Sequence, residues 1–204
     1  RTLNKCGAKV TYNQNYGLVF PMLDNGKFKG WVCRTMVKSI EEKRKYLYNE
    51  GFSRATTLVG DYGTKDYVFV VEGYMDTISL HKAGFTMTVA SMGTALTQNQ
   101  AKMIKRFADK VYICYDGDSA GQNATLRGLD ILRENGLDVM VVNLPDKFDP
   151  DDVIKTYGKE GYQKILDEAL PLVEFKIKYL QSQFQLSSVD GRIIGKMGHS
   201  ERQG

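Results

Sequence analysis

The chain has 204 residues, of which 42% are hydrophobic and 25% charged, the balance typical of a water-soluble globular protein with one substantial core. No apolar stretch approaches the roughly 20 residues of a membrane helix, and no hydrophobic run follows a basic start, which argues against a membrane protein or a secretory signal. Three widely spaced cysteines and two histidines cannot form a zinc module, and they suit a reducing cytoplasm.

The net charge of +4 is unevenly distributed along the chain. Residues 1–65 hold 12 lysines and arginines against 5 acids, a net of +7, and the remaining residues hold 16 against 19, a net of −3. A basic front part fits binding to a polyanion, although a solvated charged surface explains it equally well. The chain begins with Arg1 rather than methionine, so we expect a piece of a longer protein or a processed product.

The first predicted elements lie in this basic part. Residues 16–34, YGLVFPMLDNGKFKGWVCR, predict two strands joined by a turn at Asp24-Asn25-Gly26, because Asn-Gly is a hairpin signal. The charged stretch Ser39–Asn49 that follows predicts a helix. Together they indicate a small α+β subdomain, to which we assign residues 1–65.

From residue 67 to about 156, short apolar runs alternate with helical patterns. The predicted strands are Val68–Val71, Thr86–Ala90, Val111–Tyr115 and Val139–Leu144, and the helices between them are Tyr74–Ala83, Thr97–Phe107 and Ser119–Asn135. The second of these helices opens with Thr97 and Gln100 at the spacing of a capping box. Strands that are apolar throughout and alternate with helices indicate an α/β fold, a parallel sheet covered by helices. Right-handed crossovers bring the carboxyl ends of such strands to one edge, where ligands bind.

The last part of the chain is less regular. Residues 157–184 predict two helices, with Pro171 at the start of the second, and residues 187–204 show weak periodicity. We therefore divide the chain into the subdomain at 1–65, a sheet domain at 66–156, and a helical segment at 157–204 whose tail is expected to be disordered.

Acidic residues follow three of the four predicted parallel strands. They are Glu72 and Asp76 after the first, Asp116 and Asp118 after the third, and Asp146, Asp149, Asp151 and Asp152 after the fourth. Carboxylates packed this closely repel one another unless a cation lies between them, and oxygen ligands of this kind suit Mg²⁺ or Mn²⁺. Two such ions can activate a hydroxyl and shield a leaving phosphate.

Each acid cluster also has a simpler interpretation. An acid at a helix start is more often a cap or a partner of the helix dipole, which applies to Asp76, and Asp-Gly-Asp alone is more often a turn. Asp151 and Asp152 could simply begin a helix over Asp152–Tyr157. We expect Pro150 to stiffen the loop that carries Asp149 and Asp151, and His81 to lie on a helix surface. Because all three acidic clusters are expected at one edge of the sheet, a shared metal site explains them better than unrelated helix caps and turns do.

The motifs VVEGYMD at 70–76, YDGDSAG at 115–121 and FDPDD at 148–152 resemble, in this order, the Toprim domain of bacterial DnaG-type DNA primases. Residues 16–34 and RKYLYNEGFSRATTLVG at 44–60 resemble the segments that precede this domain in the family. The resemblance covers most of residues 16–184. It implies a Toprim-type parallel sheet and, for the chain, a fragment of a primase or of a divergent phage or mobile-element relative.

The resemblance implies synthesis of short RNA primers on single-stranded DNA from ribonucleoside triphosphates, in the cytoplasm, with two or three Mg²⁺ or Mn²⁺ ions. Glu72 would be a metal ligand and general base, and Asp116 and Asp118 would hold the metals. The residues that would complete or tune the site are Asp76, Asp149 and Asp151, and those near the template and nucleotide are Arg34, Lys45 and Arg54. The family also implies a replicative helicase and a single-strand-binding protein as partners, through domains outside this chain.

Two departures from the family pattern concern the basic part. Tyr48 stands where the family commonly has asparagine, and Val32 and Cys33 replace a usual glycine pair. Two other functions compete with primer synthesis: a different Toprim nuclease or topoisomerase, and a nucleic-acid-binding module without activity. A topoisomerase commonly has a further acid after its Asp-x-Asp, and Ala120 and Gly121 stand there instead.

Overall fold

The computed structural model describes residues 11–13, 17–24, 27–35, 45–60, 66–92, 96–115 and 119–181. They fall into two compact units, divided between Ala169 and Leu170. The first unit contains two sheets. The second contains a two-residue strand, Leu170–Pro171, and helical residues at 172–181.

The smaller sheet is antiparallel throughout. Its strands lie in chain order: β1 (Thr11–Asn13), β2 (Gly17–Asp24), β3 (Lys27–Thr35) and β4 (Tyr46–Tyr48). The pairing of Asp24 with Lys27 confirms the predicted strand pair, and the predicted turn residues Asn25 and Gly26 lie outside the described residues. Buried Phe20, Met22 and Val32 join the sheet to the core of the unit.

The helix predicted for Ser39–Asn49 is wrong in the part that the structure describes, residues 45–49. Tyr46–Tyr48 is a strand whose register pairs Arg34 with Tyr46 and Val32 with Tyr48. Aromatic residues favour a pleated surface, and the exposed edge of β3 supplies partners that no local pattern shows. Residues 39–44 lie outside the described part.

The larger sheet confirms the predicted α/β class. Its strands in this unit are β5 (Val59–Gly60), β6 (Tyr67–Val71), β7 (Thr88–Ala90), β8 (Lys110–Ile113) and β9 (Asp138–Val141), in the spatial order β9-β8-β6-β7-β5. Strands β6 to β9 are parallel, and β5, which the sequence did not predict, adds an antiparallel edge. Central β6 is buried from Val68 to Val71, which explains its unbroken apolar run.

Four helices accompany this sheet: α1 (Tyr74–Ala83), α2 (Gln98–Lys105), α3 (Ser119–Glu134) and α4 (Pro150–Asp167). The bounds of α1 are those predicted, and α2 begins with the predicted capping box, in which Thr97 accepts from the Gln100 N–H. Their core residues include Leu80, Ile104 and Leu129, all fully buried. None of the helices in the described part is long and apolar enough to cross a membrane.

Two further predictions need correction. His81 is buried rather than on a surface, because α1 packs against β7 and the imidazole Nε2 lies 3.0 Å from the Thr88 carbonyl oxygen. Pro150 belongs to the first turn of α4 rather than to a loop, with Asp149 as the residue that caps the helix. Helix α4 then continues to Asp167 through an irregular turn at Gly158, where φ is 69°.

Candidate active site

A cleft of about 380 Å³ lies in the first unit, where β6 and β7 end and α1 and α4 begin, facing β3 and β4. Seven predicted site residues line it: Arg34, Lys45, Arg54, Glu72, Asp76, Asp149 and Asp151. Asp116 and Asp118 lie outside the described residues. Strand β8, which precedes them, is the neighbour of β6 in the sheet. The structure therefore brings together, around one cleft, all the predicted site residues that it describes.

One side of the cleft, here called the acidic wall, consists of Glu72, Asp76, Asp149 and Asp151. Glu72 is half-buried at the bend between β6 and α1. The Asp76 carboxylate is 6% exposed; its Oδ2 accepts from the Gly73 N–H at 3.1 Å and its Oδ1 from the Asp151 N–H at 3.4 Å. Apolar β6 thus ends on an acid because the chain turns there into a helix whose first residues face the cleft.

The two acids of α4 are held by local contacts. Asp149 Oδ1 accepts from the Asp152 N–H at 2.7 Å, and Asp151 Oδ2 forms an ion pair with Lys155 Nζ at 2.6 Å. Burial raises the pKa of Asp149, and the negative charges of Asp152 and Asp151 raise it further. Bringing these carboxylates together therefore costs free energy, which a bound cation would offset.

The acidic wall fits a hard divalent cation by its donor chemistry, since all its side-chain donors are carboxylate oxygens. Within the described ranges, no three acid, histidine or cysteine side chains converge closely enough to hold a metal ion. Asp116 and Asp118, which follow β8 in the sequence, lie outside those ranges.

The basic and aromatic part of the lining, here called the basic wall, comes from β3, β4 and the segments that flank β4, and consists of Arg34, Lys45, Arg54, Tyr46 and Tyr48. The Arg34 guanidinium lies 5.2 Å from the centre of the Tyr46 ring, and that of Arg54 lies 5.3 Å from the centre of the Tyr48 ring. Such contacts contribute about 0.5–1 kcal/mol at exposed sites. Lys45 is exposed where β4 begins.

Tyr74, which sequence reasoning left out of the site, connects the two walls. Its ring stacks on Phe20 at 5.6 Å and contacts Tyr46 at 5.8 Å between centroids, while its hydroxyl lies 2.9 Å from Met92 Sδ. Tyr74 stands inside the VVEGYMD motif, so its position in the motif was a signal. Its contacts with β2 and β4 depend on the fold and have no local signal.

Gln100 is the second residue that sequence reasoning recognised only in part. Its amide nitrogen donates to the carbonyl oxygens of Arg54 at 3.0 Å, Thr57 at 2.9 Å and Ser91 at 3.2 Å, and the side chain is fully buried. The capping box was visible in the sequence, but these three partners lie on other segments. Gln100 thereby fixes the backbone that carries Arg54.

Comparison with known proteins finds similarity to a Toprim-like family and to bacterial DNA primases. Residues 69–154 match a Toprim-like family. A DNA primase of Clostridium acetobutylicum is 44% identical over 169 residues, which are 78% of this chain and 28% of that protein. The chain spans between 28% and 34% of the length of this primase and of those from Halalkalibacterium halodurans and Aquifex aeolicus.

Solved structures of primases are also similar to this chain. The zinc-binding and RNA polymerase domains of the Aquifex aeolicus primase superpose with a TM-score of 0.74 at 31% identity, covering 89% of this chain and 49% of that one. A DnaG primase catalytic domain bound to single-stranded DNA gives 0.73 at 29% identity, covering 89% of this chain and 62% of that one. Both likenesses extend beyond the Toprim-like match at 69–154, because that match alone covers far less than 89% of the chain.

Proposed function

Because this chain belongs to the family of bacterial DnaG-type DNA primases and corresponds to part of their catalytic core, we propose that its cleft is a site of RNA primer synthesis on single-stranded DNA. The reaction is nucleotidyl transfer from ribonucleoside triphosphates. The observation that carries this proposal is the pairing of an acidic wall with a basic wall across one cleft. Such a cleft offers carboxylates to metal ions and cations to a polyanion.

The acidic wall supports the chemical step. A bound Mg²⁺ or Mn²⁺ would neutralise phosphate charge and lower the pKa of an attacking hydroxyl. Glu72, at the carboxyl end of central β6, would hold the metal together with Asp116 and Asp118, and its carboxylate would accept the proton of that hydroxyl. Asp149 and Asp151 would tune this site through their charge.

The basic wall supports binding of template and nucleotide. Lys45 is exposed and offers a mobile ammonium, whereas Arg34 and Arg54 present guanidinium groups that are oriented by the tyrosine rings beneath them. Guanidinium groups can bind phosphate through two parallel hydrogen bonds, and phosphate contacts of this kind make affinity depend on salt. The wall therefore fits a nucleic-acid backbone and the triphosphate of the incoming nucleotide.

The wider setting of the chain follows from its family. In the whole protein, a replicative helicase and a single-strand-binding protein would be partners through regions outside this chain, and the reaction would take place in the cytoplasm. Residues 1–65 would be the end of the family's basic subdomain, 66–156 the Toprim domain and 157–204 the following helical segment. The Toprim-like match at 69–154 supports the middle part of this division.

One assay tests the proposal against its alternatives. The chain is incubated with a single-stranded DNA template, ribonucleotides and Mn²⁺, and the products are separated on a denaturing gel. Short RNA that depends on template and metal supports primer synthesis. Cleaved DNA would identify a nuclease, and DNA binding without any product would identify a binding module; either result overturns the proposal.

A further inference from the structure

We propose that Asp76 is a positioning residue, which clasps the amino ends of α1 and α4 through its two carboxylate oxygens, rather than a ligand that takes a metal directly. The effect on primer synthesis rests on the proposed function above, whereas the clasp itself does not. Within the acidic wall, Glu72 then faces the cleft and takes part in the chemistry, whereas Asp76 holds the wall together.

Both oxygens of Asp76 already accept hydrogen bonds from backbone donors. Oδ2 accepts from the Gly73 N–H at 3.1 Å, and Oδ1 accepts from the Asp151 N–H at 3.4 Å, across 75 positions of sequence. Gly73 precedes α1, and Asp151 stands in the first turn of α4. Amide groups at these positions have no acceptor within their own helix, so a carboxylate between two helix starts satisfies both.

The surroundings of Asp76 are shaped for this contact. The side chain is 6% exposed, so a solvated metal ion has little access to it. A Cβ added at Gly73 would lie 2.9 Å from Asp76 Oδ2, closer than side-chain carbons approach, and glycine therefore leaves the space that the carboxylate occupies. Buried Cys114 and Tyr162 lie close enough for the charge of Asp76 to raise the pKa of each, after the larger effect of burial.

The clasp fixes the acids that flank it. Glu72 stands directly before Gly73, and Asp149 and Asp151 stand at the start of α4, so one carboxylate sets the separation between these parts of the wall. Helices α1 and α4 also pack on each other. Apolar packing alone permits small sliding shifts, whereas two hydrogen bonds to one side chain define a register.

The proposal predicts opposite effects for the same chemical change at two positions four residues apart. In metal-free protein, Glu72→Gln removes charge from a crowded wall and keeps or raises the melting temperature. Asp76→Asn puts an amide NH₂ against a backbone N–H, because an asparagine has only one oxygen. Its melting temperature falls by roughly 3–8 °C. Glu160→Gln, at an exposed position on α4, is the matched control and leaves the melt unchanged.

Amide hydrogen exchange of the metal-free protein locates the effect. In Asp76→Asn, one or both of the Gly73 and Asp151 amides exchange about tenfold faster, and amides in the middle of α4 keep their rates. A melting temperature that stays or rises, together with unchanged exchange at both amides, overturns the clasp. Neither readout needs metal or activity, so both test the clasp even if the chain makes no primers.

Primer synthesis, measured at least 15 °C below the melting temperature of the variant, separates three roles. A positioning residue lowers kcat of Asp76→Asn and leaves the half-saturating Mn²⁺ concentration within about twofold of the original chain. A metal ligand raises that concentration about tenfold or more, and excess Mn²⁺ restores the rate. A residue that only stabilises the fold changes neither. The second and third outcomes overturn the proposal.

Discussion

The two walls of the cleft hold their charges in different ways. On the acidic wall, Asp76 and Asp149 accept hydrogen bonds from backbone N–H groups near helix starts, which are fixed donors. On the basic wall, Arg34 and Arg54 lie over tyrosine rings, and Lys45 projects into solvent. These two acids are therefore positioned by backbone donors, whereas the two arginines lie against aromatic rings, with one further bond from Arg54 Nη1 to the Met92 carbonyl oxygen at 3.4 Å.

This difference suits the two tasks that the walls would perform. A divalent ion needs oxygen ligands within a few tenths of an ångström, which favours carboxylates on rigid helix ends. A nucleic-acid backbone must be bound whatever its sequence and must advance through the site, which favours adaptable cations over aromatic faces. Variants that weaken one wall should therefore leave the task of the other intact.

The largest expected effect is on chemistry at the acidic wall. Glu72→Gln should lower the rate of primer synthesis by about 10²–10⁴-fold, because an amide neither binds a hard cation strongly nor accepts a proton. Single-turnover primer assays with Mn²⁺ measure this rate, with Glu160→Gln as control. A rate near that of the original chain would show that Glu72 only shapes the turn after β6.

The next largest expected effect is on the stability of the segment that carries Arg54, a residue of the basic wall. Gln100→Leu should lower the free energy of unfolding by about 2–3 kcal/mol, because it leaves the carbonyl oxygens of Arg54, Thr57 and Ser91 without their shared donor. Urea unfolding followed by circular dichroism measures this change. The control is Asn99→Leu, an exposed change on the same helix, which should cost less than about 0.5 kcal/mol. Equal losses of unfolding free energy in both variants would show that the hydrogen bonds of Gln100 contribute no more to stability than an exposed side chain does.

A smaller effect is expected for binding at the basic wall. Lys45→Gln should weaken single-stranded DNA binding several-fold at low salt and reduce the slope of log K against log salt by about 0.7, the value for one phosphate contact on a single strand. The melting temperature should change little because Lys45 is exposed. Fluorescence anisotropy over a salt series measures both quantities, with exposed Lys164→Gln on α4 as control. An unchanged slope would make the wall a solvated surface.

The smallest expected effect is a difference in reactivity between two buried cysteines, which reports the rigidity of the strands behind the two walls. Burial raises the pKa of the Cys33 thiol on β3 and that of the Cys114 thiol after β8, the latter to about 12, so neither forms much thiolate at pH 8 while folded. In a Cys6→Ser background, Cys114 should react with iodoacetamide roughly 2–5-fold more slowly than Cys33, because it follows a central strand. Mass spectrometry of timed samples measures this, and faster labelling of Cys114 would reverse the comparison.

The sequence predicted best what depends on local pattern. The apolar run of β6, the bounds of α1 and the capping box of α2 are set by neighbouring residues, and all three are confirmed. The acids that follow these strands could be placed at one edge because parallel strands share that edge. The expected gathering of Glu72, Asp76, Asp149 and Asp151 followed from this rule alone.

The predictions that were wrong or incomplete all concern contacts between residues that are distant in sequence. Tyr46–Tyr48 looks helical among charges and becomes a strand because β3 pairs with it. His81 looks like a surface residue, but the Thr88 carbonyl oxygen lies beside its ring in the interior. The three acceptors of Gln100 lie on two other segments, residues 54–57 and the residue after β7, that only the fold brings next to it. These are contacts for which one sequence contains no periodicity or motif.

The most direct test of the two-wall account measures Mn²⁺ binding and single-stranded DNA binding separately in the same two variants. Titration calorimetry with Mn²⁺ alone and anisotropy with DNA in metal-free buffer give the two affinities. The account predicts that Glu72→Gln loses at least about tenfold in Mn²⁺ affinity and keeps its DNA affinity, whereas Lys45→Gln loses DNA affinity and keeps its Mn²⁺ affinity. Loss of both affinities in either variant, or of neither in Glu72→Gln, would contradict it.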